Sequence, residues 1–229
     1  MTPSNELKVV ARHLAQVLDS WKLWGVAQIP TRSAPPSVPS TRHAFADLER
    51  DVQACRRCSL YRTRTHAVLG EGRLDARLVF VGEAPGREED VQGRPFVGAA
   101  GQLLTKMIEA IGLKREAVYI CNVLKDRPPG NRTPLPEEVQ ACRPFLVRQL
   151  ALIQPAVICV LGAVAAKALL GEGIDITKIR GQAQSYGSAL LVPTFHPAYL
   201  LRNPPAKRLV WQDLKLVKRL LEQGPASSR

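Results

Sequence analysis

Residues 77–86 read Arg-Leu-Val-Phe-Val-Gly-Glu-Ala-Pro-Gly, an almost unbroken apolar run that leads into a turn rich in Gly and Pro. A short apolar run of this kind is typical of a strand buried on both faces, as in parallel sheets. Three later segments share the pattern, and the four strand candidates are 77–82, 117–123, 156–162 and 189–195. Helical patterns lie between them, and this alternation predicts an α/β fold with a four-stranded parallel sheet.

The helix candidates are 102–111, 136–153, 163–170 and 207–223. Pro144 lies inside the second candidate and is expected to break it, because proline lacks a backbone N–H and its ring crowds the preceding turn. Gly171 follows the third candidate, where a glycine commonly ends a helix.

Polar or unusual residues follow each predicted strand: Glu83, Asn122, Gly162 and His196. The carboxyl ends of parallel strands share one edge of an open sheet, and ligands bind there. We therefore expect these residues to converge on a ligand site.

The chain of 229 residues carries 32 Lys and Arg against 20 Asp and Glu, a net charge of +12. This excess favours a polyanionic partner such as nucleic acid, although it also serves solubility alone. No apolar run reaches the length of about 18 residues that a membrane span needs, and no basic-apolar-small leader opens the sequence. The sequence therefore predicts no membrane span and no secretory signal. It predicts a cytoplasmic location.

An N-terminal arm is predicted at 1–45, ahead of one domain at 46–229. Within the arm, apolar residues recur every three or four positions over 7–24, the pattern of an amphipathic helix. Residues 29–40 contain four prolines among Ser and Thr and are predicted to be a linker.

Two cysteines are spaced Cys55-x2-Cys58, and a third, Cys142, follows far downstream. A CxxC with a distant third sulfur indicates a metal or iron–sulfur site. In a reducing cytoplasm such cysteines favour ligation over disulfides. Cys121 and Cys159 lie in predicted strands, where they are expected to pack as small apolar residues.

Several motifs occur in a fixed order over residues 50–222: Gly82-Glu83-Ala84-Pro85-Gly86, Arg94-Pro95-Phe96-Val97-Gly98, Asn122-Val123, Arg127-Pro128-Pro129 and His196-Pro197-Ala198-Tyr199-Leu200-Leu201-Arg202. Together they resemble the motifs of the family-4 uracil-DNA glycosylases. The resemblance implies a three-layer α/β/α fold, a [4Fe–4S] cluster, DNA as the partner, and excision of uracil from DNA in base excision repair. We expect a monomer.

The resemblance also implies roles for individual residues. Glu83 is expected to position or deprotonate the attacking water, and His196 to donate a hydrogen bond to uracil O2 as negative charge develops there. Asn122 would face the Watson–Crick edge of the flipped base, and Phe96 would stack on it.

The remaining substrate-binding residues implied are Gly82, Ala84 and Glu89, although Glu89 and its neighbour Asp90 could instead bind backbone amides. Leu200, Leu201 and Arg202 are expected to bind DNA by entering the duplex beside the vacated base.

In this family four cysteines hold the cluster, and Cys55, Cys58 and Cys142 match three of them. The fourth position is Asp126, the clearest departure from the family pattern. Ligation by the Asp126 carboxylate is the favoured interpretation. The alternatives are a [3Fe–4S] cluster, substitution by Cys121, and tetrahedral zinc.

Cationic side chains surround this predicted metal site in the sequence: Arg56, Arg57, Arg62, Arg64, Lys125, Arg127 and Arg132. Such a set favours contact with DNA phosphates, although solvated surface charge gives the same pattern.

Three other functions stay open: a related glycosylase with a different deaminated-base preference, one that becomes covalently attached to its abasic product, and a non-catalytic iron–sulfur module that binds nucleic acid. The covalent type carries an Arg-rich inserted loop with a histidine, and no such insertion lies between Arg127 and Glu138. The joint presence of Glu83, Phe96, Asn122 and His196 argues against a non-catalytic module.

Overall fold

The computed structural model describes residues 40–223. The helix predicted over 7–24 and all but the last residue of the predicted linker lie outside the described residues. In chain order the helices and strands are α1 (Thr41–Gln53), β1 (Glu71–Gly72), β2 (Leu78–Gly82), α2 (Arg87–Gln92), α3 (Ala99–Ala110), β3 (Tyr119–Asn122), α4 (Pro136–Ile153), β4 (Val157–Leu161), α5 (Ala163–Leu170), α6 (Ile176–Ile179), β5 (Gln184–Tyr186), β6 (Ala189–Thr194), α7 (Pro197–Arg202) and α8 (Lys207–Gln223). Short 3₁₀ helices lie at Ser59–Arg62, Arg115–Ala117, Pro129–Asn131 and Pro204–Ala206.

The strands form one six-stranded sheet in the order β1-β3-β2-β4-β6-β5. The four central strands pair in parallel, as the sequence predicts. The edge strands β1 and β5 pair antiparallel with their neighbours and bring the count to six rather than four. They hold two and three residues with no buried position, so they lack the apolar run that reveals the others.

Helices cover both faces of the sheet. In β2, Val79 and Val81 pack with buried residues of α1, α4 and α5, whereas Leu78 and Phe80 pack with those of α3, α7 and α8. Every residue of β2 is buried, as its apolar sequence requires. The fold is the predicted three-layer α/β/α arrangement.

Helix α1 begins at Thr41 and straddles the predicted boundary between arm and domain. Its buried residues Phe45, Leu48 and Val52 follow a helical spacing and pack into the core on the α4 side of the sheet. Residues from 41 onward are therefore part of the packed domain.

Helix α4 runs without interruption through Pro144, so the predicted break is wrong. Proline removes one backbone donor. However, Cys142, Phe145 and Leu146 on either side of it are buried, and tertiary packing of this kind supplies most of the stability of a helix in a protein. No helix within residues 40–223 has the length and apolar character needed to cross a membrane.

Candidate active site and metal centre

A cavity of about 480 Å³ opens at the carboxyl edge of the parallel strands. Glu83 follows β2, Asn122 ends β3 and His196 follows β6, and all three line this cavity. Gly162, after β4, lies behind it: a Cβ on Gly162 would be 3.1 Å from the Cβ of His196. The structure thus brings together the residues expected at the strand ends.

Loop residues complete the walls of the cavity. Ala84, Phe96 and Arg202 line it, as do Tyr199 and the 128–133 segment, whose members at the cavity are Pro128, Asn131, Arg132 and Thr133. Tyr199 and the 128–133 segment lay within or beside the sequence motifs, but nothing in their residue types marked them as cavity walls.

Asn122, which lines the cavity, carries an unsatisfied acceptor. The residue is 1% exposed, and its Oδ1 is the one buried side-chain N or O atom in the described chain without a hydrogen-bond partner. Because a buried acceptor without a donor costs free energy, such an atom indicates a ligand that brings the donor.

Gly82 shapes the floor beneath Asn122 rather than lining the cavity. A Cβ at this position would lie 2.4 Å from Asn122 Oδ1 and 2.4 Å from Phe96 Cζ. Any side chain on Gly82 would therefore displace one of these two groups. Gly82 is thus not among the residues that line the cavity, and it allows Asn122 and Phe96 to approach each other.

Phe96 has a backbone conformation that is rare outside glycine, with φ of 53°. Its buried ring lies 5.6 Å from the imidazole of His196, centroid to centroid, at an interplanar angle of 32°. A Cβ on Gly101 would be 1.9 Å from the Phe96 carbonyl oxygen, so the first turn of α3 also depends on glycine. Backbone strain of this kind is typical of functional sites.

His196 caps the N-terminus of α7 with its own ring. The backbone N–H of Ala198 donates to His196 Nδ1 at 3.1 Å. Burial, with a smaller contribution from the charge of Arg202, lowers the pKa of His196 to about 4. The imidazole is therefore neutral at physiological pH, and because Nδ1 is an acceptor, the proton is on Nε2.

Glu83 lines the cavity as a partly buried carboxyl group. Burial raises its pKa. Its backbone carbonyl accepts from the N–H of Leu124 at 3.0 Å, which ties the end of β2 to the segment after β3. A carboxyl group with a raised pKa in a cleft is suited to accept a proton from water.

Glu89 has a different role from the substrate contact first predicted. Its Oε1 accepts from the N–H groups of Val97 and Gly98 at 2.9 Å each, and its Oε2 accepts from that of Gly86 at 3.1 Å. Both carboxylate oxygens thus accept hydrogen bonds from backbone N–H groups, one from the loop at Gly86 and the other from the loop at 97–98. Glu89 borders the cavity and joins these loops, which is the alternative that the sequence left open.

Lys125 belongs to a buried network that the sequence did not reveal. Its Nζ donates to the backbone carbonyl of Asn122 at 2.6 Å and to Gln149 Oε1. Gln149 Nε2 in turn donates to the Leu69 carbonyl and to Tyr119 Oη, at 2.9 Å each. Burial lowers the pKa of Lys125. The network fixes the end of β3 from behind.

A second, smaller cavity is lined by all four predicted metal ligands: Cys55, Cys58, Asp126 and Cys142. Cys142 Sγ accepts from the backbone N–H of Lys125 at 3.2 Å. Burial raises the pKa of Cys58, and it raises that of Cys142 to about 12. Because metal ligands bind as thiolates, a metal at this cavity would release the protons of these thiols.

No group of three or more His, Cys, Asp or Glu side chains within residues 40–223 could hold a single metal ion. In an iron–sulfur cluster each cysteine binds a different iron, so the ligands stand farther apart than those around one ion. Three cysteines around one cavity are a donor set of the kind that iron–sulfur clusters use. Cys121 is fully buried in β3 and is not among the residues that line this cavity.

Asp126 is paired with a cation. Its Oδ1 accepts from Arg64 Nη1 at 2.8 Å, and the two side chains are only 7% and 13% exposed. Burial raises the pKa of Asp126, and the hydrogen bond and charge of Arg64 oppose this. Arg64 also donates to the backbone carbonyl of Gln53 at the end of α1.

The family model of the uracil DNA glycosylase superfamily matches residues 69–215. The chain belongs to the uracil-DNA glycosylase superfamily. Type-4 uracil-DNA glycosylases of Thermotoga maritima and Archaeoglobus fulgidus are 50% and 46% identical to it, over 75% and 76% of this chain and 92% of each relative. A type-5 uracil-DNA glycosylase of Pyrobaculum aerophilum is 31% identical over 54% of this chain and 66% of that relative. The resemblance to the type-4 family is confirmed.

In this member of the uracil-DNA glycosylase superfamily, the residues predicted to enter DNA after His196 lie partly in the core and partly on the surface. Leu200 is 1% exposed and packs in the core with residues of α3 and α8, so its predicted insertion into DNA is wrong. Helical geometry turns successive side chains by about a quarter turn or more. Leu201, 47% exposed, and the exposed Arg202 are the members of the predicted set that face outward.

The cations predicted to contact phosphate divide in the same way. Lys125 is buried and Arg64 is paired with Asp126, so the phosphate contact predicted for these two is wrong. Arg56 and Arg62 lie over the ring of Tyr61, and Arg57 lies over that of Phe145; all three are exposed. These three keep their charges accessible on the surface beside the cysteine cavity.

Proposed function

We propose that this protein hydrolyses the N-glycosidic bond of uracil in DNA and leaves an abasic site. The observation that carries the proposal is the unpartnered Oδ1 of Asn122, because the N3–H of uracil is the donor that it lacks. The names of the type-4 relatives support the same activity.

Base selection follows from the Asn122 amide. Its Oδ1 would accept from uracil N3–H while its NH2 donates to O4, whereas cytosine presents the opposite pattern. The contacts of Asn122 with Gly82 and Lys125 fix its position at the cavity. A site that pairs buried polar groups in this way discriminates by about 10⁴-fold or more.

Bond cleavage separates a uracil anion from an electron-poor sugar carbon. The neutral His196 would donate its Nε2–H to uracil O2, and one such donor typically contributes about 10²- to 10³-fold to the rate. Glu83 would accept a proton from the attacking water and offset the positive charge at the sugar. Phe96 offers its face to the flipped base, which leaves the duplex to reach the cavity.

We propose further that Cys55, Cys58 and Cys142 hold an iron–sulfur cluster of the [4Fe–4S] or [3Fe–4S] type, with Asp126 at the family's fourth position. The three thiols line one cavity between the end of α1, the segment after β3 and helix α4. A cluster there would join these segments and have a structural role. We propose a reducing cytoplasm as the location, since the five cysteines form no disulfide, and we keep the expectation of a monomer as part of the proposal.

The decisive experiment uses single- and double-stranded oligonucleotides that carry one uracil. After incubation with the protein, hot alkali should cut the strand at uracil and leave a matched cytosine strand intact. Asn122→Asp should lose this activity, because a carboxylate cannot donate to O4. An uncut uracil strand would refute the glycosylase.

The same assay distinguishes the alternatives. Oligonucleotides with hypoxanthine or xanthine in place of uracil report a different base preference. A DNA product that migrates with the protein under denaturing conditions would indicate covalent attachment. Tight binding of an uncut strand would indicate a non-catalytic module.

A further inference from the structure

The metal centre departs from the four-cysteine pattern at a single position, Asp126. The inference that follows rests on the proposed iron–sulfur cluster and concerns its fourth iron. Cys55, Cys58, Asp126 and Cys142 border the same cavity, so the carboxylate lies where a fourth ligand belongs.

Asp126 is already engaged at that position. Its Oδ1 accepts from Arg64 Nη1 at 2.8 Å, in a pair that is almost fully removed from solvent. The other end of the guanidinium is anchored as well, because Nη2 donates to the Gln53 carbonyl. Arg64 is thus fixed by the backbone of α1 and cannot follow a carboxylate that moves towards a metal.

Binding an iron through Oδ1 would leave the guanidinium without its partner, and binding through Oδ2 would make one carboxylate share its charge between the iron and Arg64. Breaking a buried ion pair leaves an uncompensated charge, which is strongly destabilising. The sulfurs of Cys142 and Cys58 accept from the backbone N–H groups of Lys125 and Leu60, and such hydrogen bonds are compatible with a metal-bound thiolate. Thiolates are also the usual ligands of iron in such clusters.

We propose that Asp126 serves Arg64 rather than iron, and that the fourth iron of a cluster held by Cys55, Cys58 and Cys142 has no protein ligand and exchanges with ferrous iron. The exchange is [3Fe–4S]⁰ + Fe²⁺ ⇌ [4Fe–4S]²⁺, in which no electron is transferred and the charges balance. The cluster of this protein therefore responds to the supply of ferrous iron, and an all-cysteine site does not.

The test compares wild type with Asp126→Cys, which supplies a fourth thiolate. Both proteins are purified without oxygen, treated with a chelator, oxidised by one electron with ferricyanide, and analysed for iron and by EPR. Wild type should lose one iron in four and give the signal of an oxidised three-iron cluster. Added ferrous iron with a reductant should restore the fourth iron. Asp126→Cys should keep all four and stay silent.

A double variant controls for the carboxylate itself. Arg64→Gln with Asp126→Asn replaces the ion pair by a neutral pair of similar size, so neither a buried charge nor a carboxylate remains. This variant should exchange iron as wild type does. If wild type keeps all four irons after chelator and ferricyanide and only the double variant loses one, Asp126 is a ligand and the proposal is overturned.

Failure of the cluster and failure of the inference give different results. Iron-free, colourless protein in wild type and in Asp126→Cys alike would refute the cluster itself, and this inference with it. The alkali assay on uracil strands, run on the same preparations, reports separately whether the glycosylase activity stands.

Discussion

The backbone N–H of Ala198 donates a hydrogen bond to Nδ1 of His196 across 3.1 Å. This contact decides which nitrogen of the ring carries the proton, because an acceptor at Nδ1 leaves the hydrogen on Nε2. The proline between them, Pro197, begins α7 and has no N–H to compete for the ring. His196 is thus oriented by the helix that it caps.

We expect His196→Ala to lower the rate of uracil excision by about 10²- to 10³-fold, as loss of one donor to a developing anion typically does. Since the pKa of His196 is about 4, the ratio of wild-type to variant rates should not change between about pH 5.5 and 8. Single-turnover kinetics across this range measure the ratio. A ratio that changes near pH 6.5 would show that the charged ring takes part.

The same pKa has a consequence for stability. Between pH 6.5 and about 4 the unfolded chain binds a proton at His196 that the folded protein refuses. The free energy of unfolding therefore falls as the pH falls through this window. Denaturant titrations should show a shallower fall for His196→Ala than for wild type.

Glu83 should impose the acid limb of the pH profile. Burial raises its pKa, so the carboxylate is lost at a higher pH than that of an exposed glutamate. Glu83→Gln should excise uracil about 10²- to 10⁴-fold more slowly and lose this limb.

Glu83→Gln should also unfold at a higher temperature than wild type at neutral pH. The native pKa is raised, so the carboxyl group contributes stability at low pH that is lost as the pH rises above its ordinary value of 4.5. Thermal unfolding of both proteins measures this difference. Equal melting temperatures would indicate that the carboxylate is well solvated.

Lys125 should govern base selection without touching the base. Lys125→Met removes the donor to the Asn122 carbonyl and leaves that group and Gln149 Oε1 unsatisfied, at a cost of about 1–3 kcal/mol each in the free energy of unfolding. Denaturant unfolding of Lys125→Met and wild type measures this loss.

A positioning role makes a separate prediction for activity. Lys125→Met should excise uracil with a higher KM and discriminate less against cytosine, because the end of β3 that carries Asn122 is no longer held by the Lys125 donor. Lys178→Met, on the exposed helix α6, is the matched control and should behave as wild type. Full discrimination by Lys125→Met would limit Lys125 to a structural role.

Two adjacent leucines should separate folding from DNA binding. Leu200→Ala creates a cavity in the core and should lower the free energy of unfolding by about 2–5 kcal/mol. Leu201→Ala should change it by less than about 0.5 kcal/mol, as surface substitutions do. Leu201→Ala should weaken excision from duplex DNA more than from single strands, because only in a duplex does a side chain fill the space that the flipped base leaves in the stack. Equal effects on both substrates would argue against a wedge at Leu201.

The central strands and the residues at their ends could be predicted from the sequence because both signals are local. An apolar run such as 78–82 is stable only when it is buried, here in a central strand. The residue that follows such a strand lies at the carboxyl edge of the sheet. The sequence therefore predicts that Glu83, Asn122 and His196 lie at one site, and all three line the same cavity.

Contacts between residues far apart in the sequence left no such signal. Arg64 and Asp126 are separated by 62 positions and Lys125 and Gln149 by 24, and a buried lysine has the same local pattern as an exposed one. The two edge strands could not be predicted because they contain no apolar run. The position of Leu200 was predicted wrongly because the sequence does not show which of two adjacent leucines a helix directs into the core.

The two short antiparallel strands at the edges of the sheet also affect whether copies of this protein associate through their sheet edges at high concentration. A long, open edge strand presents a row of free N–H and C=O groups to which another chain can add. Here the borders are two and three residues long, so a second molecule finds little backbone to pair with. The glycosylase can thus keep a fully apolar set of central strands and still resist edge-to-edge aggregation.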